Sequence, residues 1–266
     1  MSKFLRTDFN LKRLVDNSYK AIDRGAYETK QLFTHDAISL RKAISSCVHA
    51  PLITEIKFSS PSQGKIRSNT EPADIAKTMV NSGAIGISVL TQPSLFDGSI
   101  EYLATIRNAL TRVPVLMKDI TVSVVQIDAG KRVGADCVLL IKSVFDSNLA
   151  EDSMDKLSEY AKKRDLGVLV EVHTEQEFEE VLKSKYDLIG INNRDLNDLH
   201  VDIKNTEKLL KSYGKAKSTI ISESGINTPE DIRYLTSAGA DAFLVGTSVM
   251  QAQDIAAKIS DLYYAI

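Results

Sequence analysis

Five short apolar runs in this chain each end in a charged or amide side chain. Leu52-Ile53-Thr54 leads to Glu55, with Lys57 two residues on; Val115-Leu116-Met117 ends in Lys118 and Asp119; Leu169-Val170 reaches Glu171; Ile189-Gly190-Ile191 reaches Asn192; and Ile220-Ile221-Ser222 reaches Glu223. Each run is too short for a helix and aliphatic enough for a buried strand. Pro114, ahead of the second run, is tolerated at a strand's first position. In barrel and open α/β folds the C-terminal edge of a buried parallel strand faces the active site. Each residue alone also has a bland reading. Lys118 caps a strand and snorkels to water. Glu55 and Lys57, on one face, form a rim ion pair. Glu171 caps the next helix, and Asn192 bonds loop amides. Gathered at one rim with Arg194, however, two lysines and three glutamates carry desolvation and repulsion costs that are ordinarily kept for chemistry, here proton transfer.

A second signal lies near the end of the chain. Ser224-Gly225 and Gly246-Thr247-Ser248 follow the last two apolar runs. These are tight turns whose backbone N–H groups suit a phosphate dianion, and many barrels bind phosphate after their seventh and eighth strands. The histidines point to less. His173 follows Glu171 by two and serves as a partner behind it, a cap or a surface group; His35, His49 and His200 have no metal-ligand spacing. There is no P-loop and no Gly-x-Ser-x-Gly elbow.

The elements that must carry these residues repeat. Strands are expected at Leu52–Lys57, Ile85–Leu90, Val115–Lys118, Cys137–Ile141, Gly167–Val172, Asp187–Asn192, Ser218–Glu223 and Ala242–Gly246. Helices are expected from Pro72 to about Asn81, up to about Thr111, from a Ser123/Gln126 capping box to Gly134, and over about Leu149–Lys163. Others run from a Thr174/Glu177 capping box to about Ser184, over Thr206–Tyr213, from Thr228-Pro229, and over Asp254–Tyr264. Three junctions share one design, a glycine closing a helix before a buried strand: Gly83-Ala84, Gly134-Ala135-Asp136 and Gly239-Ala240-Asp241. Eight such units read as a (β/α)8 TIM barrel over residues 51–266. Residues 1–50 form a helical extension packed on it, with Phe9, Leu11, Leu14, Val15 and Tyr19 at helical spacing and a second helix over Ala37–Val48. An open doubly wound sheet is the alternative, but no Gly-x-Gly-x-x-Gly follows the first strand.

The chain has 266 residues, 43% hydrophobic and 26% charged, with net charge −2, an ordinary globular balance without the basic excess of a nucleic-acid binder. Two cysteines make no disulfide framework, and Cys137 reads as a small buried hydrophobe. No run is long enough to span a membrane and the N-terminus has no apolar signal region, so a cytoplasmic protein is expected.

Taken in order on successive strands, T-E-I-K-F-S-S-P-S-Q-G (54–64), S-V-L-T (88–91), F-D-G-S (96–99), V-L-M-K-D (115–119), L-V-E-V-H (169–173), G-I-N-N-R-D-L (190–196), S-E-S-G-I (222–226) and F-L-V-G-T-S-V-M (243–250) resemble the indole-3-glycerol phosphate synthase family of tryptophan biosynthesis. The resemblance implies closure of the indole ring of 1-(2-carboxyphenylamino)-1-deoxyribulose 5-phosphate with loss of carbon dioxide and water, without cofactor or metal. It implies Lys118 as proton donor at the carbonyl, Glu171 and Lys57 in dehydration, and Glu55 orienting the lysines. Asn192, Arg194 and Ser60 would hold the anthranilate carboxylate, the arginine by its fork geometry. Glu223 would bond sugar hydroxyls, with Ser224 beside it. Phe96, Leu139 and Leu196 would wall the ring, and Gly225, Gly246 and Thr247 would bind phosphate. The expected partner is thus a phosphorylated small molecule, with no nucleic acid or membrane, and the expected state a monomer or weak homo-oligomer. No isomerase domain follows the eighth unit, so a monofunctional enzyme is expected.

Two positions depart from the family pattern. Ile120 stands where phenylalanine is usual, and Gln92 where an acidic residue is common. Neither removes a proton-transfer group. The rival readings are another phosphate-binding barrel, such as a sugar-phosphate isomerase, and a non-catalytic ligand-binding barrel.

Overall fold

The computed structural model of the chain describes residues 10–61, 63–67, 71–184, 186–196 and 199–266. Phe9 and Ser62, both used above, lie outside these. Eight parallel strands close into a barrel. They are β1 (Leu52–Ile56), β2 (Gly86–Leu90), β3 (Val115–Lys118), β4 (Cys137–Ile141), β5 (Gly167–Val172), β6 (Leu188–Asn192), β7 (Thr219–Glu223) and β8 (Ala242–Val245). The seam between β8 and β1 is closed by pairing of Leu52 with Phe243, Ile53 with Leu244 and Thr54 with Val245. The seam between β3 and β4 has the fewest pairs of the eight, only Leu116 with Cys137 and Met117 with Val138.

Side-chain alternation along each strand sorts the apolar residues into two clusters. Ile53, Leu116, Leu139, Leu169, Ile221 and Leu244 belong to one, which fills the barrel. Leu52, Val89, Met117, Val138, Val170, Ile189 and Phe243 belong to the other, with helix residues such as Ile75, Leu103, Phe178 and Ile232. Full burial of each such side chain is worth roughly 1.5–3 kcal/mol, and most positions on both faces of the strands are apolar, with Thr54, Ser88 and Ser222 among the buried polar exceptions. In barrels of this kind the inner side chains stack in layers drawn from alternate strands. Two residues beyond the inner aliphatics Ile53, Leu116, Leu169 and Ile221 of the odd strands stand Glu55, Lys118, Glu171 and Glu223. The layer that caps the apolar core is therefore entirely ionisable.

Several of the outer helices follow from local signals. Thr174 and Glu177 form a reciprocal capping box, as do Thr228 and Asp231 with Pro229 in the first turn. Gly83, Gly134 and Gly239 all take positive φ after their helices, as the repeated junction requires. The box expected at Ser123 is not reciprocal. The Ser123 hydroxyl accepts from Val125 N, while Gln126 Oε1 accepts from Val122 N at 2.8 Å. Gln126 reaches past the cap because its amide nitrogen is drawn to Asp119.

The helix expected over 149–163 spans Met154–Lys162, starting from the Ser153 cap, and a separate short helix, Lys142–Asp146, directly follows β4. Two further short helices, Pro93–Phe96 after β2 and Thr247–Met250 after β8, and a hairpin of Ser59–Ser60 with Gly64–Lys65 after β1 have no counterpart among the expected elements. None is long enough to display a period.

The segment before β1 touches both ends of the barrel. Helix Leu11–Asp23 adds Leu14 and Val15 to the inner cluster with Ile120, Val122 and Val144, which follow the C-terminal ends of β3 and β4. Helix Leu40–Ser45, shorter than the expected 37–48, starts at the Ser39 cap and adds Leu40 and Ile44 to the inner cluster. Its approach is fixed by buried Asp136, just before β4, which accepts from Ile38 N (2.8 Å), His35 Nε2 (2.9 Å), Val115 N (2.7 Å) and Arg107 Nη2. That carboxylate marks the N-terminal end of the barrel.

Candidate active site

A cleft of about 300 Å³ opens at the C-terminal ends of the strands. The residues that the family resemblance assigned to the site all line it, namely Glu55, Lys57, Ser60, Phe96, Lys118, Leu139, Glu171, Asn192, Arg194, Leu196, Glu223, Ser224, Gly225, Gly246 and Thr247, whereas Ser248 and His173 do not.

Its floor is the ionisable layer. Lys118 Nζ, at the end of β3, donates to Glu171 Oε2 at 3.0 Å and lies 3.6 Å from Glu223 Oε2. Asn192 Nδ2 donates to Glu171 Oε1 at 2.9 Å, and Asn192 Oδ1 accepts from Arg194 N at 3.0 Å. Both ends of the Asn192 amide are thus committed, one of them to aiming Glu171. On the other side, Lys57 Nζ donates to Glu55 Oε1 at 2.6 Å. The rim ion pair of the bland reading exists, but inside the cleft. Glu171 does not cap the following helix, which Thr174 and Glu177 cap themselves.

Charge is distributed unevenly in this layer. Burial works against the charge of Lys118, yet Glu171, Glu223 and Glu55 outweigh it and hold its pKa above the ordinary lysine value. Burial likewise opposes charge on Glu171, but Lys118 and the Asn192 bond win and hold its pKa below the usual carboxylate value. Burial dominates at Glu223; Lys118 opposes it, Glu171 and Glu55 add to it, and the carboxyl is pushed up to about 8. Near neutral pH the layer therefore holds an ionised Glu171 and a protonated Glu223 around one ammonium group.

Two even-strand glycines make room for these carboxyls. A Cβ on Gly246 would lie 2.5 Å from Glu55 Oε1, and a Cβ on Gly190 would overlap Glu223 Oε1. Glu223 Oε1 is buried and has no hydrogen-bond partner among the described residues.

The upper wall is apolar on one side. Phe96 and Leu196 pack on the inner cluster that contains Leu139, Ile120 and Leu14. Opposite, Ser224 and Gly225 both take positive φ in the turn after β7. Ser248 Oγ, after β8, donates to Ile226 O at 2.9 Å and ties the two turns together. Arg67 donates to Met250 O (2.9 Å) and Ala252 O (2.6 Å), fastening the loop after β1 to the same region. Ser60 Oγ accepts from Gln63 N at 3.2 Å. Arg194 Nη1 donates to Leu199 O at 3.1 Å.

The model of one family, described as indole-3-glycerol phosphate synthase, matches residues 11–262. The chain belongs to the indole-3-glycerol phosphate synthase family. A relative of that name from Caldanaerobacter subterraneus subsp. tengcongensis is 46% identical over 200 residues, 75% of each chain. One from Methanocaldococcus jannaschii is 39% identical over 254 residues, 95% of this chain and 89% of the relative. One from Polaromonas naphthalenivorans is 39% identical over 233 residues, 88% and 86% of the two chains. Among solved structures, thiamine phosphate pyrophosphorylase from Pyrococcus furiosus superposes with TM-score 0.61 at 19% identity, over 85% of this chain and 97% of that one. That likeness speaks for the barrel alone.

Against the family pattern, Ile120 is buried in the cleft wall, where it supplies aliphatic surface. Gln92 also lines the cleft, and its Oε1 caps helix Pro93–Phe96 by accepting from Leu95 N at 3.2 Å. Reading from sequence missed Leu14 in the cleft wall and the partners of Asp119 behind it. His173 accepts neither bland role: its Nδ1 lies 2.8 Å from Asn192 O, behind the site. Lys142 turns away from the cleft to Asp146 and Glu180. Among the described residues there is no His, Cys, Asp and Glu grouping that could hold a metal ion, and no helix is long and apolar enough to cross a membrane.

Proposed function

We propose that this chain forms indole-3-glycerol phosphate from 1-(2-carboxyphenylamino)-1-deoxyribulose 5-phosphate. The observation that carries the reading is Lys118, held between Glu171 and Glu223 on the floor of the cleft in a member of this family. The aryl carbon attacks the ketose carbonyl carbon, and Lys118 gives its proton to the carbonyl oxygen. The carboxylate then leaves as carbon dioxide, and its bonding electrons restore the ring. Loss of the new hydroxyl as water needs an acid and a base. Glu171 suits the base, because its pKa is lowered and it is ionised at neutral pH. Lys57, fixed by Glu55, is then the acid. Asn192 acts by aiming Glu171, while Arg194 and Ser60 receive the anthranilate carboxylate.

Phe96, Leu139 and Leu196 stack on the ring. Glu223 and Ser224 meet the sugar, and the amides of Gly225, Gly246 and Thr247 hold the phosphate. A monomer or weak homo-oligomer in the cytoplasm completes the proposal. A sugar-phosphate isomerase would need one acid–base pair and would leave the second lysine–glutamate pair without work.

The test is to mix the purified chain with the substrate and follow indole fluorescence without added metal. Steady product formation is expected, and its absence rejects the reading.

A further inference from the structure

Asp119 is the buried carboxyl that the proposed chemistry leaves unused. It is 1% exposed, directly follows Lys118, and among the described residues has no cation bonded to it. Its Oδ2 accepts from Tyr27 Oη at 2.8 Å and from the Thr91 hydroxyl. Its Oδ1 accepts from Ile120 N at 2.8 Å and from Gln126 Nε2 at 3.2 Å. Gln126 Nε2 also donates to Tyr27 Oη (3.2 Å) and Ile120 O (3.0 Å). Burial pushes this carboxyl up to about 6 against the pull of those donors. A lone buried acid is costly to keep, and this one is spent on backbone geometry.

The reason lies in the seam. Pairing of β3 with β4 stops at Met117, so on that side Lys118 has no ladder partner. On the other side it has Leu90 and a bond from Thr91 N to its carbonyl at 3.2 Å. Asp119 takes over where the ladder ends, and Tyr27 delivers the N-terminal segment's share of that hold. We infer that Asp119 and Tyr27 are positioning residues which set Lys118 between Glu171 and Glu223, so that the segment before the barrel governs the catalytic lysine through a single buried hydroxyl. The inference rests on the function proposed above only for its kinetic arm.

The test uses Tyr27→Phe and Asp119→Asn in the full chain, with Tyr186→Phe as control. Tyr186 makes a 2.8 Å bond to Asp155 away from the cleft. First, the Lys118 side-chain resonance is read by NMR without substrate, using ε-13C lysine and Lys118→Arg for assignment. It is expected to move in the two network variants and to stay in the control. Second, kcat is expected to fall about tenfold in each network variant with KM within about twofold, as for a sub-ångström misplacement of a reacting group. The double variant should fall no further than the worse single one, since both act through one path. In a Lys118→Ala background Tyr27→Phe should cost nothing more in kcat. An unmoved Lys118 resonance, or an equal kcat loss with and without Lys118, overturns the inference. A wild type without turnover would reject the function, and the NMR arm would still decide the positioning.

Discussion

Lys118 Nζ and Glu171 Oε2 stand 3.0 Å apart, joining β3 to β5 across the mouth of the barrel. Each favours the charged form of the other, so the pair rests with the proton on the lysine and the carboxylate free, at the cost of a weaker intrinsic acid and base.

Removing either partner should therefore act on the chemical step. Lys118→Ala and Glu171→Gln are each expected to lower kcat by about 10²-fold or more, with a smaller change in KM. Steady-state rates from indole fluorescence decide this, and a variant at near-full rate refutes the role of the residue changed.

Glu223 should make the protein less stable as pH rises. Its carboxyl is pushed up to about 8 in the fold, against about 4.3 in an unfolded chain. Between those values the folded state binds more protons than the unfolded one, so unfolding free energy falls with increasing pH and levels off above about 8. Asp119, raised to about 6, adds the same sign lower in the range. Glu223→Gln removes the larger contribution, so its Tm should fall less than that of the wild type between about pH 5 and 9. Parallel melting curves across that range would contradict the assignment.

The glycines that clear space for carboxyls should be intolerant of alanine. At Gly246 a Cβ meets Glu55, and at Gly190 it meets Glu223. Each alanine variant should lose roughly 1–3 kcal/mol by overpacking and lose activity as well. Pairing Gly190→Ala with Glu223→Ala should restore stability in urea melts without restoring turnover. If the pair melts like the single Gly190→Ala, the clash is not the cause.

Asn193 should matter to substrate capture more than to chemistry. It is buried, donates to Ser222 Oγ (3.0 Å) and Ser224 O (3.1 Å), and accepts from Thr206 N and Oγ1. It thereby holds Ser224 in its positive-φ conformation. Asn193→Ala is expected to cost about 1–3 kcal/mol of stability and to raise KM several-fold with kcat little changed. A fall in kcat at constant KM would refute this division of labour.

The barrel was readable because burial on both faces leaves unbroken aliphatic runs, and because the repeated glycine junctions mark where each begins. The lining of the cleft was readable because alternation carries a strand's inner face two residues on: Lys118 follows inward Leu116 and Glu171 follows inward Leu169, whereas Lys142, one residue past inward Ile141, turns away. What lay hidden depends on contacts between distant elements. Tyr27 meets Asp119 only once the chain has closed, and no local pattern marks it. Gln126 carried a visible signal, its spacing from Ser123, but tertiary demand redirected the side chain. Asn192 had a legible position, but the bond of its amide to Glu171 exists only once the strands stand side by side.

The alternation of charge and clearance around the ring has a consequence for how such barrels exchange parts. Glu223 sits on β7 but its vacancy is cut by Gly190 of β6, and Glu55 on β1 depends on Gly246 just past β8. Neither of these two carboxyls shares a strand–helix unit with the glycine that clears its room. A chimera that takes β7 from a relative without β6, or splits the closure between β8 and β1, separates lock from key even when every catalytic residue is retained. Crossovers that keep those neighbours together preserve the site, so the inheritable unit here is a pair of adjacent strands.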